Sequence, residues 1–208
     1  MDAATATEVG FIHHVEAPRD AAPRRALLLL HGTGGNEHDL VPLGRALAPD
    51  AVLISPRGKV LERGAPRFFR RFAEGMFDEA DVIARAAELA AWAKAAAGRH
   101  ARGLPLAALG FSNGANIAAA VMLLHPDVLD EAVLLRAMPP LSAPPVADLS
   151  GRRVLILNGL ADPIATPEIA ERLAGQLRAA GAALTARMLP AGHGLTQADL
   201  DAAAAFLR

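Results

Sequence analysis

Residues 104–124, LPLAALGFSNGANIAAAVMLL, decide the fold of this 208-residue chain. The apolar run 104–109 predicts a buried strand, and the small-residue run 115–124 predicts a buried helix. Between them, Gly110 to Gly114 form the pattern G-x-S-x-G, which is typical of a serine on a tight, strained strand-to-helix turn. About 0.03 matches to this pattern are expected by chance in a chain of this composition. The alternative is a glycine-rich turn in which Ser112 merely caps the helix.

Strand and helix patterns alternate along the rest of the chain. Aliphatic runs predict strands at 26–30, 51–54, 133–135, 154–157 and 183–188, with an edge strand at 11–16. Helical patterns cover 39–47, 78–97, 166–181 and the residues from Thr196 onward. This order predicts an α/β fold with a mostly parallel sheet and helices on both faces. One domain is expected over 1–208, with a loose tail at 1–8 and the longest irregular segment at 56–77.

Composition excludes several classes of function. The chain has no cysteine, which excludes disulfides, thiolate metal sites and a cysteine nucleophile. A formal net charge of −1, with basic and acidic residues interspersed, argues against nucleic-acid binding. No signal peptide is visible, and the apolar runs are shorter than the roughly 18 residues of a membrane span, so no stable membrane association is expected. A cytoplasmic protein is the expectation that follows.

Loops after the predicted strands carry residues suited to nucleophilic catalysis. In open parallel sheets, the loops at the carboxyl ends of the strands converge on one crevice. Ser112, Asp162 and His193 each follow a strand, and they occur in the chain order of α/β-hydrolases. A serine needs a base to accept its proton, histidine titrates near neutral pH, and a carboxylate orients the imidazole. The backbone N–H groups of Asn113 and Thr33 are predicted to form the oxyanion hole.

Each of these side chains has a structural alternative. Asp162 precedes Pro163 and could simply end a turn, and His193 could be an ordinary loop histidine. Asp148 competes for the acid role but follows a proline-rich stretch rather than a strand. Histidines and acids do not occur at zinc-ligand spacing, so neither a metal nor another cofactor is expected. Four other histidines are predicted to be structural: a brace for the oxyanion loop, surface positions on the edge strand and a helix end (His31, His13, His14 and His125).

The sequence RFFRRF at 67–72 allows two interpretations. In the functional one, Phe68 and Phe69 form an apolar wall beside Ser112, and the arginines bind an acidic group of the substrate. In the structural one, the phenylalanines pack the loop against the core and the arginines pair with nearby acids. The structural interpretation is favoured for the arginines (Arg67, Arg70 and Arg71 with Glu74, Asp78 or Glu79). The pocket is expected to be shallow and bordered by the loop 58–77 together with Leu160, Ile164 and Leu195.

With these residues assembled, the chain resembles the small carboxylesterase/phospholipase branch of the α/β-hydrolases, which includes acyl-protein thioesterases. The resemblance covers nearly the whole chain and rests on LHGTGGNE (30–37), PRFFRR (66–71), GFSNGAN (110–116) and GLAD (159–162) with Gly192-His193. It implies a triad of Ser112, Asp162 and His193, an oxyanion hole from Thr33 and Asn113, short acyl esters as substrates and, often, a homodimer. Gly194 and Asn113 depart from the pattern of acyl-protein thioesterases specifically.

The predicted function is therefore hydrolysis of a small-molecule, short-chain acyl ester through an acyl-Ser112 intermediate. The small size of the chain predicts a minimal α/β-hydrolase fold without a separate lid domain. Three alternatives keep the triad and change the substrate to a thioester, a lysophospholipid, or a dienelactone or hydroquinone-derived product. A fourth is a catalytically silent hydrolase-like binding protein, which is disfavoured because no member of the triad is missing.

Overall fold

The computed structural model describes residues 5–7, 10–18 and 22–208. The strands in chain order are β1 (Thr5–Thr7), β2 (Ile12–Glu16), β3 (Arg25–Leu30), β4 (Ala51–Pro56), β5 (Val60–Glu62), β6 (Ala65–Arg67), β7 (Arg71–Ala73), β8 (Met76–Phe77), β9 (Leu106–Phe111), β10 (Glu131–Leu135), β11 (Arg153–Gly159) and β12 (Ala183–Leu189). The helices are α1 (Val41–Leu47), α2 (Glu79–His100), α3 (Asn113–Leu124), α4 (Pro167–Ala179) and α5 (Gln197–Leu207).

Eight strands form one sheet in the order β1-β2-β4-β3-β9-β10-β11-β12. The strands from β4 to β12 in this order are parallel, whereas β1 and β2 are antiparallel additions at one edge. Helices α2, α3 and α4 pack on one face of the sheet, and α1 and α5 pack on the other. The inner strands are continuous aliphatic runs because both of their faces are covered. The predicted α/β-hydrolase fold, with a mostly parallel sheet between two helical layers, is confirmed.

Local signals explain where the last two helices begin. The Thr166 hydroxyl accepts a hydrogen bond from the Ile169 amide at 3.5 Å, and Pro167 occupies the first turn of α4. Thr196 and Asp199 form a reciprocal capping box at the start of α5. Both helix starts agree with the sequence prediction. Among the described residues, no helix combines the length and the apolar character needed to cross a membrane.

The segment 56–77 is not irregular as predicted, because it folds into two β-hairpins. Hairpin β5–β6 turns at Arg63 and Gly64, which have φ angles of 52° and 85°, as a two-residue turn between twisted strands requires. Hairpin β7–β8 turns at Gly75, which has a φ of 72°. Helix α2 also departs from the prediction, since it passes through Gly98 and ends at His100. The hairpins form one wall of the crevice described below.

Two predictions near the amino terminus need correction. Residues 5–7 form β1 rather than part of a loose tail, while residues 1–4 and 8 lie outside the described residues. Because β1 pairs with β2, the strand β2 is not the edge of the sheet. His13 and His14, predicted as surface residues, are 2% and 5% exposed. His13 Nδ1 bonds the Phe11 carbonyl at 2.9 Å and its ring packs edge-on against Trp92.

Candidate active site

Ser112 lies at the turn between β9 and α3, with φ 52° and ψ −115°. A non-glycine residue in this conformation costs about 1–3 kcal/mol, so the surrounding structure must hold it in place. The two glycines of the motif permit the turn, because a Cβ at Gly110 would lie 2.6 Å from the Gly114 carbonyl oxygen. A Cβ at Gly114 would lie 1.9 Å from the carbonyl oxygen of Leu30. This turn therefore requires glycine at both positions where the G-x-S-x-G pattern has it.

The structure brings Ser112, His193 and Asp162 into one hydrogen-bonded chain. His193 Nε2 lies 3.1 Å from Ser112 Oγ, and His193 Nδ1 lies 2.8 Å from Asp162 Oδ2. Both distances fit the direct proton contact that a general base needs. Asp148, the alternative acid, lies on an exposed loop and accepts from the Ser150 amide instead. This geometry is the one in which a serine can act as nucleophile, a histidine as base and a carboxylate as its orienting partner.

Asp162 is only 3% exposed, yet protein groups donate hydrogen bonds to both oxygens of its carboxylate. Burial raises its pKa, but hydrogen bonds from the Ile164 amide, His193 and the Ala165 amide outweigh burial and hold the pKa below the usual range for aspartate. The two amide contacts go to Oδ1 at 2.8 and 3.1 Å, which leaves Oδ2 for the imidazole. An ionised carboxylate at neutral pH follows from this balance.

Adjacent strands carry the acid and the base, and their loops touch. Asp162 follows β11 and His193 follows β12, which pair in parallel from Arg153 to Gly159. A Cβ at Gly159 would lie 2.3 Å from the Ala191 carbonyl oxygen and 2.4 Å from that of Gly192. Glycine at this position therefore allows the two loops to approach closely enough for the carboxylate to reach the imidazole.

The loop that follows β3 carries Thr33, which lines the same cavity as Ser112 and Asn113. Within the described residues the Thr33 N–H has no acceptor, and Asn113 begins α3, where intrahelical bonding leaves the amide free. The Asn113 side chain is already used, since its Oδ1 accepts from the Phe68 amide at 2.8 Å. Two free backbone donors on residues that line one cavity with a serine are the kind of groups that stabilise an oxyanion.

His31 braces this loop, as the sequence predicted. Its Nε2 accepts from the Gly58 amide at 2.9 Å, and its Nδ1 lies 2.6 Å from the Gly32 carbonyl. Burial lowers the pKa of His31 below the ordinary value for histidine. The neutral imidazole that results can accept at one nitrogen and donate at the other, which ties the loop to the chain entering β5.

A cavity of about 230 Å³ opens at Ser112 and His193. Of the five predicted contact residues, Ile164 lines it. Phe68 and Phe69 instead belong to the buried core, at 3% and 0% exposure, in the short link between the two hairpins. Leu160 is exposed to solvent, and Leu195 packs on the core between the sheet and helices α1 and α5. The predicted border loop 58–77 contributes Phe77 and three charged residues, and the sequence analysis missed Phe111, Asn116 and Met138.

The arginine cluster follows the structural interpretation for the most part. Arg70 donates to Asp78, and Arg71 bonds both Glu62 and Glu74. Arg67 is almost completely buried and donates through Nη1 to the Thr33 hydroxyl at 2.5 Å. The side chains of Arg67 and Arg71 also line the cavity. Arg67 therefore joins the oxyanion loop to the hairpin wall, a role that the sequence analysis did not anticipate.

The residues that the structure describes contain no cluster of three or more histidines, cysteines or acids suited to a metal ion.

Comparison with known proteins places these features in a family. No family model matches the chain. The chain is 47% identical over 179 residues to "Putative hydrolase MhqD" of Bacillus subtilis (strain 168), covering 85% of this chain and 89% of the relative. The structure of the Bacillus cereus carboxylesterase superposes with a TM-score of 0.88 at 41% identity, covering 95% of this chain and 93% of that one. A carboxylesterase from Mesorhizobium loti gives a TM-score of 0.92 at 36% identity, covering 100% and 99%.

The two solved structures, both carboxylesterases, share this fold across nearly the full chain. The chain belongs to the carboxylesterase/phospholipase family of small α/β-hydrolases and is an ester-hydrolysing enzyme.

Proposed function

We propose that this enzyme hydrolyses short-chain acyl esters through an acyl-Ser112 intermediate. The observation that carries the proposal is the chain of hydrogen bonds from Asp162 through His193 to Ser112 at the mouth of the cavity. A serine hydroxyl is a weak nucleophile until a base removes its proton, and His193 Nε2 is within reach of that proton.

In the first half of the reaction, Ser112 Oγ attacks the ester carbonyl carbon while His193 Nε2 takes the hydroxyl proton. The carbonyl oxygen becomes negative, and the Thr33 and Asn113 amides donate to it. The C–O bond to the alcohol then breaks, and the imidazolium gives its proton to the departing alkoxide oxygen. The products of this half are the free alcohol and the acyl-Ser112 ester.

In the second half, a water molecule attacks the acyl carbon and loses its proton to His193 Nε2. The bond from carbon to Ser112 Oγ breaks, and the same proton returns to Oγ, which releases the carboxylic acid. Asp162 remains ionised throughout, holds the Nδ1–H tautomer and stabilises the imidazolium. Its lowered pKa supports this role.

The cavity supports a preference for short acyl groups. Its volume of about 230 Å³ is below the roughly 300–1,000 Å³ of typical small-molecule pockets. The apolar side chains Phe77, Phe111, Met138 and Ile164 suit a short hydrocarbon chain. Thioesters, lactones and ring-cleavage products share the same chemistry, whereas the long acyl chain of a lysophospholipid exceeds this space.

Ser112→Ala tests the proposal against p-nitrophenyl acetate, butyrate and octanoate, with Ser142→Ala as the matched control on an exposed loop. We expect Ser112→Ala to lose turnover and the control to keep wild-type turnover. Among the three esters, acetate or butyrate should give the wild type its highest kcat/KM. A fluorophosphonate probe should label the wild type and the control and leave Ser112→Ala unlabelled. Wild-type turnover by Ser112→Ala would refute the mechanism, and failure of the wild type to react with the probe would favour a silent binding protein.

A further inference from the structure

Arg136 is a buried arginine at the carboxyl end of β10, and the mechanism above does not use it. Its side chain is almost completely inaccessible, and its φ of 56° is one of three positive values among the described non-glycine residues. Of the other two, Arg63 forms a hairpin turn and Ser112 is the proposed nucleophile. Residues in this strained region persist where the surroundings determine them, and they cluster at functional sites.

All five N–H groups of the Arg136 guanidinium have acceptors. Two of them bond the carboxylate of Asp199, through Nη1 at 2.7 Å and Nη2 at 2.8 Å. Another bonds the Leu157 carbonyl at 3.1 Å. The remaining two bond the carbonyls of Gly192 at 2.9 Å and Gly194 at 2.7 Å. Arginine is the side chain that presents five donors in a fixed planar fork, so this set of contacts requires it.

The last two contacts hold the backbone on both sides of His193. Neither glycine has a side chain to wedge the loop, and a Cβ at Gly194 would meet nothing within 4 Å. The imidazole itself is about one-quarter exposed. Close packing against Gly159, the bond from the Ala161 amide to the Ala191 carbonyl and the contact of His193 with Asp162 restrain the amino-terminal side of this loop. On the Gly194 side packing is open, and the two carbonyl contacts with Arg136 tie both sides of the loop to β10.

We propose that Arg136, fixed by Asp199, is a positioning residue that holds His193 at hydrogen-bond distance from Ser112. The proposal rests on the proposed function, because it assigns His193 the role of the base. Arg136 is not among the residues that line the cavity, so it acts on the rate of proton transfer and leaves substrate binding unchanged. A misplacement of about 1 Å at a reacting group lowers the rate by about 100-fold.

The alternative is a buried ion pair that only stabilises the fold, and the test must separate the two roles. Arg136→Met alone leaves the Asp199 charge buried and unpaired, which is strongly destabilising. The double variant Arg136→Met/Asp199→Asn removes both charges, and the asparagine oxygen can still accept from the Thr196 amide, which now bonds the carboxylate at 2.8 Å. Replacing both partners of a buried pair is often tolerated.

The matched control is Arg25→Met/Glu131→Gln. Arg25 is the first residue of β3 and Glu131 is the first residue of β10. Their largely buried ion pair therefore lies at the amino ends of the strands, away from the crevice at the carboxyl ends. Its loss perturbs stability without touching the His193 loop. A third variant, Arg136→Lys, keeps the charge opposite Asp199 and lacks the planar fork that reaches both carbonyls.

We expect Arg136→Met/Asp199→Asn to lose about 100-fold in kcat with KM unchanged, and to react correspondingly more slowly with a fluorophosphonate probe. Arg136→Lys should show the same split between kcat and KM. The control should lower the melting temperature and keep wild-type kcat. A folded double variant with wild-type kcat would overturn the proposal, and if that variant does not fold, wild-type kcat in Arg136→Lys would do so. If Ser112→Ala is inactive while these variants are fully active, the proposed function stands and the positioning role alone is refuted.

Discussion

Gly114→Ala tests whether the placement of Ser112, the proposed nucleophile, depends on the close approach of two backbones. A methyl group at this position would lie 1.9 Å from the Leu30 carbonyl oxygen and 2.6 Å from that of His31. Ordinary contacts begin near 3.4 Å, so α3 must move by about 1.5 Å relative to β3. Since the atoms in the way are backbone on both sides, no side chain can swing aside to reduce the displacement.

The expected effect falls on both stability and rate. Overpacking of this kind costs about 1–3 kcal/mol, and each kcal/mol lowers the melting temperature by about 2–4 °C in a chain of this size. Gly114 is the second residue of α3, so the displacement also moves Ser112 and Asn113 away from His193. A shift of 1 Å or more predicts a loss of about 100-fold in kcat.

Gly175→Ala is the matched control, because it makes the same change in α4 at a position with nothing within 4 Å. Its free energy of unfolding should rise by about 0.4–1 kcal/mol, and its kcat should equal that of the wild type. Initial rates on p-nitrophenyl butyrate and thermal unfolding of both variants give the comparison. A Gly114→Ala enzyme with the kcat and melting temperature of the wild type would refute the reasoning from the close approach.

Three further changes have defined outcomes. Asp162→Asn keeps an oxygen for the amides of its loop but presents an NH₂ group to His193, which favours the wrong imidazole tautomer. We expect kcat to fall about 10⁴-fold. The circular dichroism spectrum and the melting temperature should change little. The hydrogen bond from Arg57 lowers the pKa of Glu37 in the folded protein. The stability that this carboxyl contributes is therefore fully present above its unfolded pKa of about 4.3. That contribution is lost as the pH falls through the lower folded pKa. Glu37→Gln should therefore flatten the acid side of the melting temperature plotted against pH, and an unchanged slope there would contradict the assignment. Phe77→Ala widens the cavity and should raise kcat/KM for p-nitrophenyl octanoate relative to acetate, whereas an unchanged ratio would show that this side chain does not limit acyl length.

The sequence predicted those features that leave a local pattern. Aliphatic runs marked the inner strands because both of their faces are buried, and the glycines around Ser112 marked a turn that only glycine permits. The hairpin β5–β6 was missed because Arg63 occupies the first turn position, where asparagine, aspartate or glycine is usual. The hairpin β7–β8 was missed because its strands have only three and two residues, too few for a visible alternation. The burial of Phe68 and Phe69, which lie in the short link between those hairpins, was missed with them.

Arg136 shows the other limit of sequence reasoning. No periodicity or motif marks it, and its partner Asp199 lies 63 residues further along the chain. The pair forms only because β10 and the start of α5 meet at the carboxyl edge of the sheet. Contacts of this kind depend on tertiary packing, and a single sequence carries no signal for them.

The division of the chain between the two sides of the crevice has a consequence for how such an enzyme diversifies. The proposed reacting side chains all follow strands β9, β11 and β12, in the second half of the chain, whereas the hairpins of 60–77 in the first half supply a wall of the cavity. Exposed hairpins tolerate changes of length and sequence better than buried parallel strands. Substitutions there can alter which ester is accepted while the strands that carry the chemistry stay unchanged. Part of the cavity wall can thus vary independently of the strands that carry the proposed reacting side chains.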